Sequence, residues 1–232
     1  MAPPIVHPIV HPIIRLMAHP TAHPMDQHSP RDRPDEATLA RPDQAACFPA
    51  PAVVERDTRA WVDRAVIGLN LCPFARAVQV KGRLHYAVSE AVDAPSLLSD
   101  LAREIEALLA SDPAVRETTL LVAPHCLADF LAFNDFLGRA DRLLRKRRCE
   151  GVLQIASFHP DYQFAGTAAD DITNATNRSP YPTLHLLRED SIDVAVQAFP
   201  EAALIFERNQ RTLEQLGAAG WAALGVGRSD HE

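Results

Sequence analysis

"RSPYPTLHLLRED", residues 178–190, decides the architecture of this chain, because it reads either as a helix or as a strand. As a helix, Ser179 is the N-cap, Pro180 takes the first position and Pro182 still lies in the tolerated first turn, with Leu184, Leu186 and Leu187 facing inward. As a strand, Leu184 and Leu186 alternate with His185 and Leu187, which leaves only a weak period of two. The helix is the preferred reading, and it removes this stretch from any sheet.

Upstream, "GVLQIASF" at residues 151–158 reads as a buried strand behind a glycine stop. From its end, the passage Phe158 to Glu189, which takes in most of the quoted stretch, holds over twenty residues with neither helical nor strand period. Loops longer than about 12 to 15 residues are uncommon in compact domains unless they are functional or disordered. The passage is therefore expected to build a site.

Further toward the N-terminus the pattern is regular. Asp57 or Thr58 is expected to cap a helix whose stripe is Trp61, Val62, Ala65, Val66 and Leu69, stopped by Pro73. Residues 84–89 form a short strand with Leu84, Tyr86 and Val88 on one face. Leu97, Leu98, Leu101, Ile105, Leu108 and Leu109 keep helical spacing between Pro95 and Pro113. "TTLLVAP" at 118–124 is a nearly continuous apolar strand, and residues 127–147 form another helix. A last helix is expected from Pro200 to about Leu216, with Gly217 just beyond its end. Strands alternating with long helices predict an α/β fold, a mainly parallel sheet of three to four strands flanked by helices. The expected organisation is a single compact domain over residues 53–225, a disordered Pro/His-rich extension over 1–52 and a C-terminal tail over 226–232.

The extension differs from the rest in composition: residues 1–52 hold 11 of the 19 prolines and none of the 9 glycines. Such a segment buries too little apolar surface to offset its ordering entropy. Its His-Pro dipeptides at His7, His11, His19 and His23 close no coordination sphere, so they are not read as a metal site. A later translation start is also compatible with this composition. The whole chain of 232 residues carries a net charge of −7, which recommends neither nucleic acid nor an anionic membrane as a partner. No apolar run approaches the roughly 18 residues of a membrane span, and no signal peptide is evident, so a cytoplasmic location is expected. Cys47, Cys72, Cys126 and Cys149 have no ligand-like or paired spacing and read as reduced thiols.

Chemistry is expected where the irregular passage meets the carboxyl edge of the sheet, the usual ligand crevice of open α/β folds. Arg178, Asn174 and Asn177 supply donors for an anion, and Arg grips carboxylate or phosphate through two parallel hydrogen bonds. Tyr181 and Asn209 complete the candidate substrate contacts. His159 and His185 flank the loop and are the candidate general bases, since imidazole titrates near neutral pH. Cys72 is a third catalytic candidate, although its position at a helix C-terminus raises a thiol pKa. Asp161, Asp170 and Asp171 offer carboxylates for an alternative in which the two histidines bind metal, but their spacing is not one a metal demands. Asn134 and Asn209 interrupt apolar stripes and are expected to hold the loop in place, while the run Arg142, Arg145, Lys146, Arg147 and Arg148 is a solvated helix end.

"LNLCPFA", "ASFHPDYQFAG" and "TNRSPYPTLHLLRE", together with "FNDFL" and "ERNQRTLEQLG", resemble a bacterial family, the domain of unknown function 1415, over about residues 55–222. The resemblance implies a small cytoplasmic bacterial protein with its motifs at Cys72, His159, Asn177, Arg178 and His185; it transfers no reaction, metal or cofactor. The function expected from the residues is an enzyme acting on a small anionic metabolite through a histidine acid/base and an Arg/Asn anion site. Two alternatives stay open: a metal-dependent enzyme or metal carrier using His159 and His185, and a non-catalytic binding or assembly module.

Overall fold

A computed structural model describes residues 49–198 and 204–229. Most of the Pro/His-rich extension, with Cys47 and the four His-Pro dipeptides, lies outside the described residues, as does the expected helix start at Pro200.

The first helix, α1 (Pro51–Trp61), begins six residues before the expected cap. Proline at its first position costs no hydrogen bond there, and no side chain caps it. Val54, Asp57, Thr58 and Trp61 are its buried residues, so Asp57 and Thr58 sit inside the helix on its inward face instead of at its start. The helix widens into a π-turn over Val62–Ile67 and ends in the turn before Pro73. A short α2 (Ala75–Val80) leads to β1 (Leu84–Val88). Asp93 caps α3 (Ala94–Ala110) by accepting from the Ser96 N–H, and Asp129 caps α4 (Phe130–Lys146) by accepting from the Ala132 N–H. These two helices connect β1, β2 (Thr118–Val122) and β3 (Leu153–Phe158) in turn.

The sheet corrects two expectations. Its four strands run in the order β1-β2-β4-β3, where β4 is Thr183–Arg188, so the stretch preferred as a helix is a strand. Because β4 inserts antiparallel to both β2 and β3, the sheet is mixed, with one parallel pairing, β1 with β2. The prolines explain why the helix fails. Each disfavours helical geometry in the residue before it, and Arg178 is already extended at φ −81°, ψ 136°. Ser179 then spends its hydroxyl on the Tyr181 carbonyl instead of capping a turn. The weak period has its own cause: Leu184 and Leu186 enter the core beneath α3 and α4, while Thr183 and His185 enter the opposite layer. A central strand buried on both faces loses its alternation.

Two cores sandwich the sheet. Leu97, Leu101, Ile105 and Leu108 of α3 meet Phe133, Phe136 and Ala140 of α4 on one face. On the other, Trp61 packs edge-on against Phe158 with ring centroids 5.2 Å apart, among Tyr86, Leu120 and Val122. Each such side chain contributes about 1.5 to 3 kcal/mol on burial. After β4 the chain continues as α5 (Glu189–Ala198) and, beyond the undescribed residues, α6 (Ile205–Ala223). Gly217, with φ 67° and ψ 174°, breaks α6 where the sequence predicts a stop, and the chain turns there into a second helical segment. Among the described residues no helix is long and apolar enough to cross a membrane.

Candidate functional site

The irregular passage lies at the carboxyl end of β3 and is well ordered inside. Its only helix is a 3-10 turn, Ile172–Asn177, whose residues 173–177 are all buried. Asp171 caps it, accepting from both the backbone N–H and the hydroxyl of Thr173. Ala175 packs with Leu71 and Leu213, which docks the loop on α6 and on the turn after the π-helix. Asn209 of α6 fixes that turn by donating to the Leu71 carbonyl at 2.9 Å. Asn134, by contrast, is only half-buried on α4.

The loop asparagines serve the loop. Asn174 Oδ1 accepts from the Phe164 N–H at 2.9 Å and from Thr167 Oγ1 at 2.8 Å, while its Nδ2 donates to the Ala168 carbonyl. Asn177 Nδ2 donates to the Ser157 carbonyl, and the Asn177 carbonyl accepts from the His159 N–H. These groups shape the backbone around a site and do not reach out of it. Arg178 fastens the outer rim, with Nε donating to the Tyr162 carbonyl and Nη2 to the Ala169 carbonyl.

The two histidines lie in different layers. His159 is fully buried between Phe130 and Phe133 of α4, with ring centroids 5.4 and 5.1 Å away. Its Nδ1 accepts from the Asp161 N–H at 3.0 Å, which leaves Nε2 to carry the proton and donate to the Leu127 carbonyl, also at 3.0 Å. Burial pushes its pKa down, against the pull of the Leu127 carbonyl, and the ring is neutral. His185 sits across the sheet beside Phe158, where Nε2 meets Thr118 Oγ1 at 2.7 Å. Since that hydroxyl donates to the Leu186 carbonyl, the imidazole is the donor to it. Burial holds the His185 pKa down at about 4. With the sheet between them, the two rings do not meet at one metal ion. Asp161 and Asp170 are exposed, and among the described residues no group of three or more His, Cys, Asp or Glu side chains could hold a metal. Cys72 lies in the turn between the π-helix and α2. Burial pushes its thiol pKa up, with the N–H groups of Phe74 and Ala75 pulling the other way.

A cleft of about 340 Å³ opens where the end of β3, the approach to β4 and the C-terminal segment converge. Pro160, Pro180, Trp221 and Val226 form its apolar walls, and Arg178, Ser179 and Arg228 supply its polar ones. Arg228 donates from Nε to the Pro180 carbonyl at 2.8 Å and lies 5.0 Å above the centroid of the Tyr181 ring. Tyr181 is buried and donates its hydroxyl to Asp57 at 2.9 Å. Asp57, 5% exposed, also accepts from the N–H and the hydroxyl of Ser229. Burial alone would raise the Asp57 pKa, but the hydrogen bonds from Ser229 and Tyr181, with Arg56 nearby, outweigh it and hold the carboxyl below its ordinary value. A larger hollow, about 510 Å³, lies beyond β1, where Asp100 accepts from both Ser89 and Arg103.

Of the residues expected to form the site, Arg178 lines the cleft and Tyr181 lies beneath it, while His159, Asn174, Asn177 and Asn209 hold the scaffold. His185 and Cys72 lie elsewhere. Sequence reasoning missed Asp57 and Arg228. Asp57 carries a usable signal, because it falls three residues after Val54 and four before Trp61, on the apolar stripe where a carboxylate needs partners. Arg228 lies in the segment set aside as a tail.

No curated protein and no solved structure matches the chain. A family model described as "Protein of unknown function (DUF1415)" matches residues 53–223, and the chain belongs to that family.

Proposed function

We propose that the protein binds a small anion, a carboxylate or a phosphate, in the cleft between Arg178 and Arg228. One observation carries this reading. In a chain of net charge −7, two arginines line one cleft, and among the described residues neither is ion-paired with a carboxylate. Their hydrogen bonds go only to backbone carbonyls, which orient the forks without neutralising them. A guest placed between them gains charge-assisted, bidentate hydrogen bonds, and the apolar walls weaken screening there. The cleft's volume is at the lower end of the range for small-molecule sites, roughly 300 to 1,000 Å³.

Acid–base chemistry by His159 is not part of this reading, because both ring nitrogens already serve the fold. A partner-docking role would leave the two charges without a specific small guest. Thermal unfolding in inorganic phosphate, sulfate and small dicarboxylates separates these readings. At a ligand concentration one hundred times Kd, the wild type is expected to gain roughly 5 to 10 °C. Arg178→Ala and Arg228→Ala are each expected to lose most of that gain, measured against their own ligand-free midpoints so that lost carbonyl contacts cancel. A wild type that no anion stabilises would overturn the proposal.

A further inference from the structure

We propose that Asp57 is a positioning residue for this cleft: it latches the C-terminal strap, residues 225–229, and thereby holds Arg228 opposite Arg178. The inference rests on the anion-binding reading of the same cleft. The strap leaves α6 through Gly225, whose φ of 58° is a left-handed turn that side chains resist. Arg228 itself is exposed, so nothing about its own burial fixes it. Its placement comes from its neighbours. Ser229 is tied by two hydrogen bonds to Asp57, at 2.9 Å from its N–H and 2.6 Å from its hydroxyl. On the near side the Arg228 fork rests on the Tyr181 ring, whose hydroxyl is bound by the same carboxylate. Val226 inserts into the core beside Trp61, and Arg64 of the π-helix donates to the Leu224 and Gly225 carbonyls. One buried carboxylate in the first helix thus secures both the strap and the aromatic floor beneath the guanidinium. The separation in sequence, 172 residues from Asp57 to Ser229, makes this a long-range closure of the domain upon its own end.

Closure and anion binding are then coupled. An anion held by both guanidiniums favours the latched strap, and a latched strap raises affinity for the anion, by the same factor in each direction. Hydrogen exchange and phosphate titration on the full chain test this together. In the wild type, inorganic phosphate is expected to slow exchange across residues 226–229. Asp57→Ala is expected to speed that exchange without ligand and to weaken phosphate binding about tenfold, the loss of one well-placed charge-assisted contact. Asp57→Asn keeps an oxygen for the Tyr181 and Ser229 donors and is expected to restore affinity to within about threefold of wild type. If Asp57→Ala does not fold, Ser229→Ala, which keeps the carboxylate and loses the hydroxyl's bond to Asp57 along with the one it accepts from Arg56, is expected to weaken phosphate about threefold. Phosphate affinity unchanged in whichever of these two variants folds, with affinity lost in Arg178→Ala, overturns the latch and leaves the cleft standing. Affinity unchanged in Arg178→Ala overturns the cleft itself.

Discussion

Replacing His159 by alanine is expected to destabilise the domain by about 3 to 5 kcal/mol. The ring is fully buried between two phenylalanines, and truncating a buried aromatic side chain costs about that much through lost contacts and the cavity left behind. The Leu127 carbonyl and the Asp161 N–H also lose their partner, at about 1 to 3 kcal/mol for each group that water cannot reach. Against a typical domain stability of about 5 to 15 kcal/mol, the loss is large enough to see directly in urea unfolding. A change below about 1 kcal/mol would mean that the ring is not so engaged, and would return His159 to the acid–base candidates.

Acid is expected to unfold the protein in a window set by His185. Its folded pKa is about 4 against an ordinary 6.5, so between those values the unfolded chain binds a proton that the folded chain refuses. Stability rises with pH wherever the unfolded state binds more protons, so the contribution of His185 is fully present above 6.5 and lost as pH falls toward 4. Allowing for partial exposure of the ring, its size is on the order of 2 to 3 kcal/mol. His85, His125 and His159 are shifted in the same direction by burial and deepen the fall. His185→Gln isolates one contribution, since an amide still donates to Thr118 but does not titrate. The wild type is expected to lose about 2 kcal/mol more than this variant between pH 7 and pH 4, and parallel profiles would refute the assignment. Asp57 acts in a separate window: its depressed carboxyl contributes fully above 3.8 and fails only as pH falls through its lower folded value.

How far the sequence disclosed this molecule depends on the physics of each element. The helices α3 and α4 were plain because each buries one stripe and exposes the other, so Leu97, Leu101, Ile105 and Leu108 repeat at helical spacing. Strand β1 was found by its alternation, and β2 and β3 by short apolar runs bounded by proline or glycine. Strand β4 was not, because Ser179, Pro180 and Pro182 imitate a helix start just before it, and its identity is decided by partners on β2 and β3 that local pattern does not contain. The direction of the sheet followed from that one strand. The long loop was correctly expected at the sheet's carboxyl edge, while its asparagines proved to face inward: whether an amide serves backbone or guest depends on tertiary contacts such as Asn174 with Phe164 and Thr167. Asp57 looked like a cap because aspartate before an apolar run usually is one, and only the return of the chain at Ser229 gives it another role.

Diffraction from crystals soaked in selenate tests the proposed anion seat between the two arginines directly, through the anomalous signal of selenium. The expected result is a peak in the cleft within about 4 Å of both the Arg178 and the Arg228 side chains, the reach of an ion pair, and its absence from Arg178→Ala crystals. A clear selenate peak elsewhere on the protein, with this cleft empty, would contradict it.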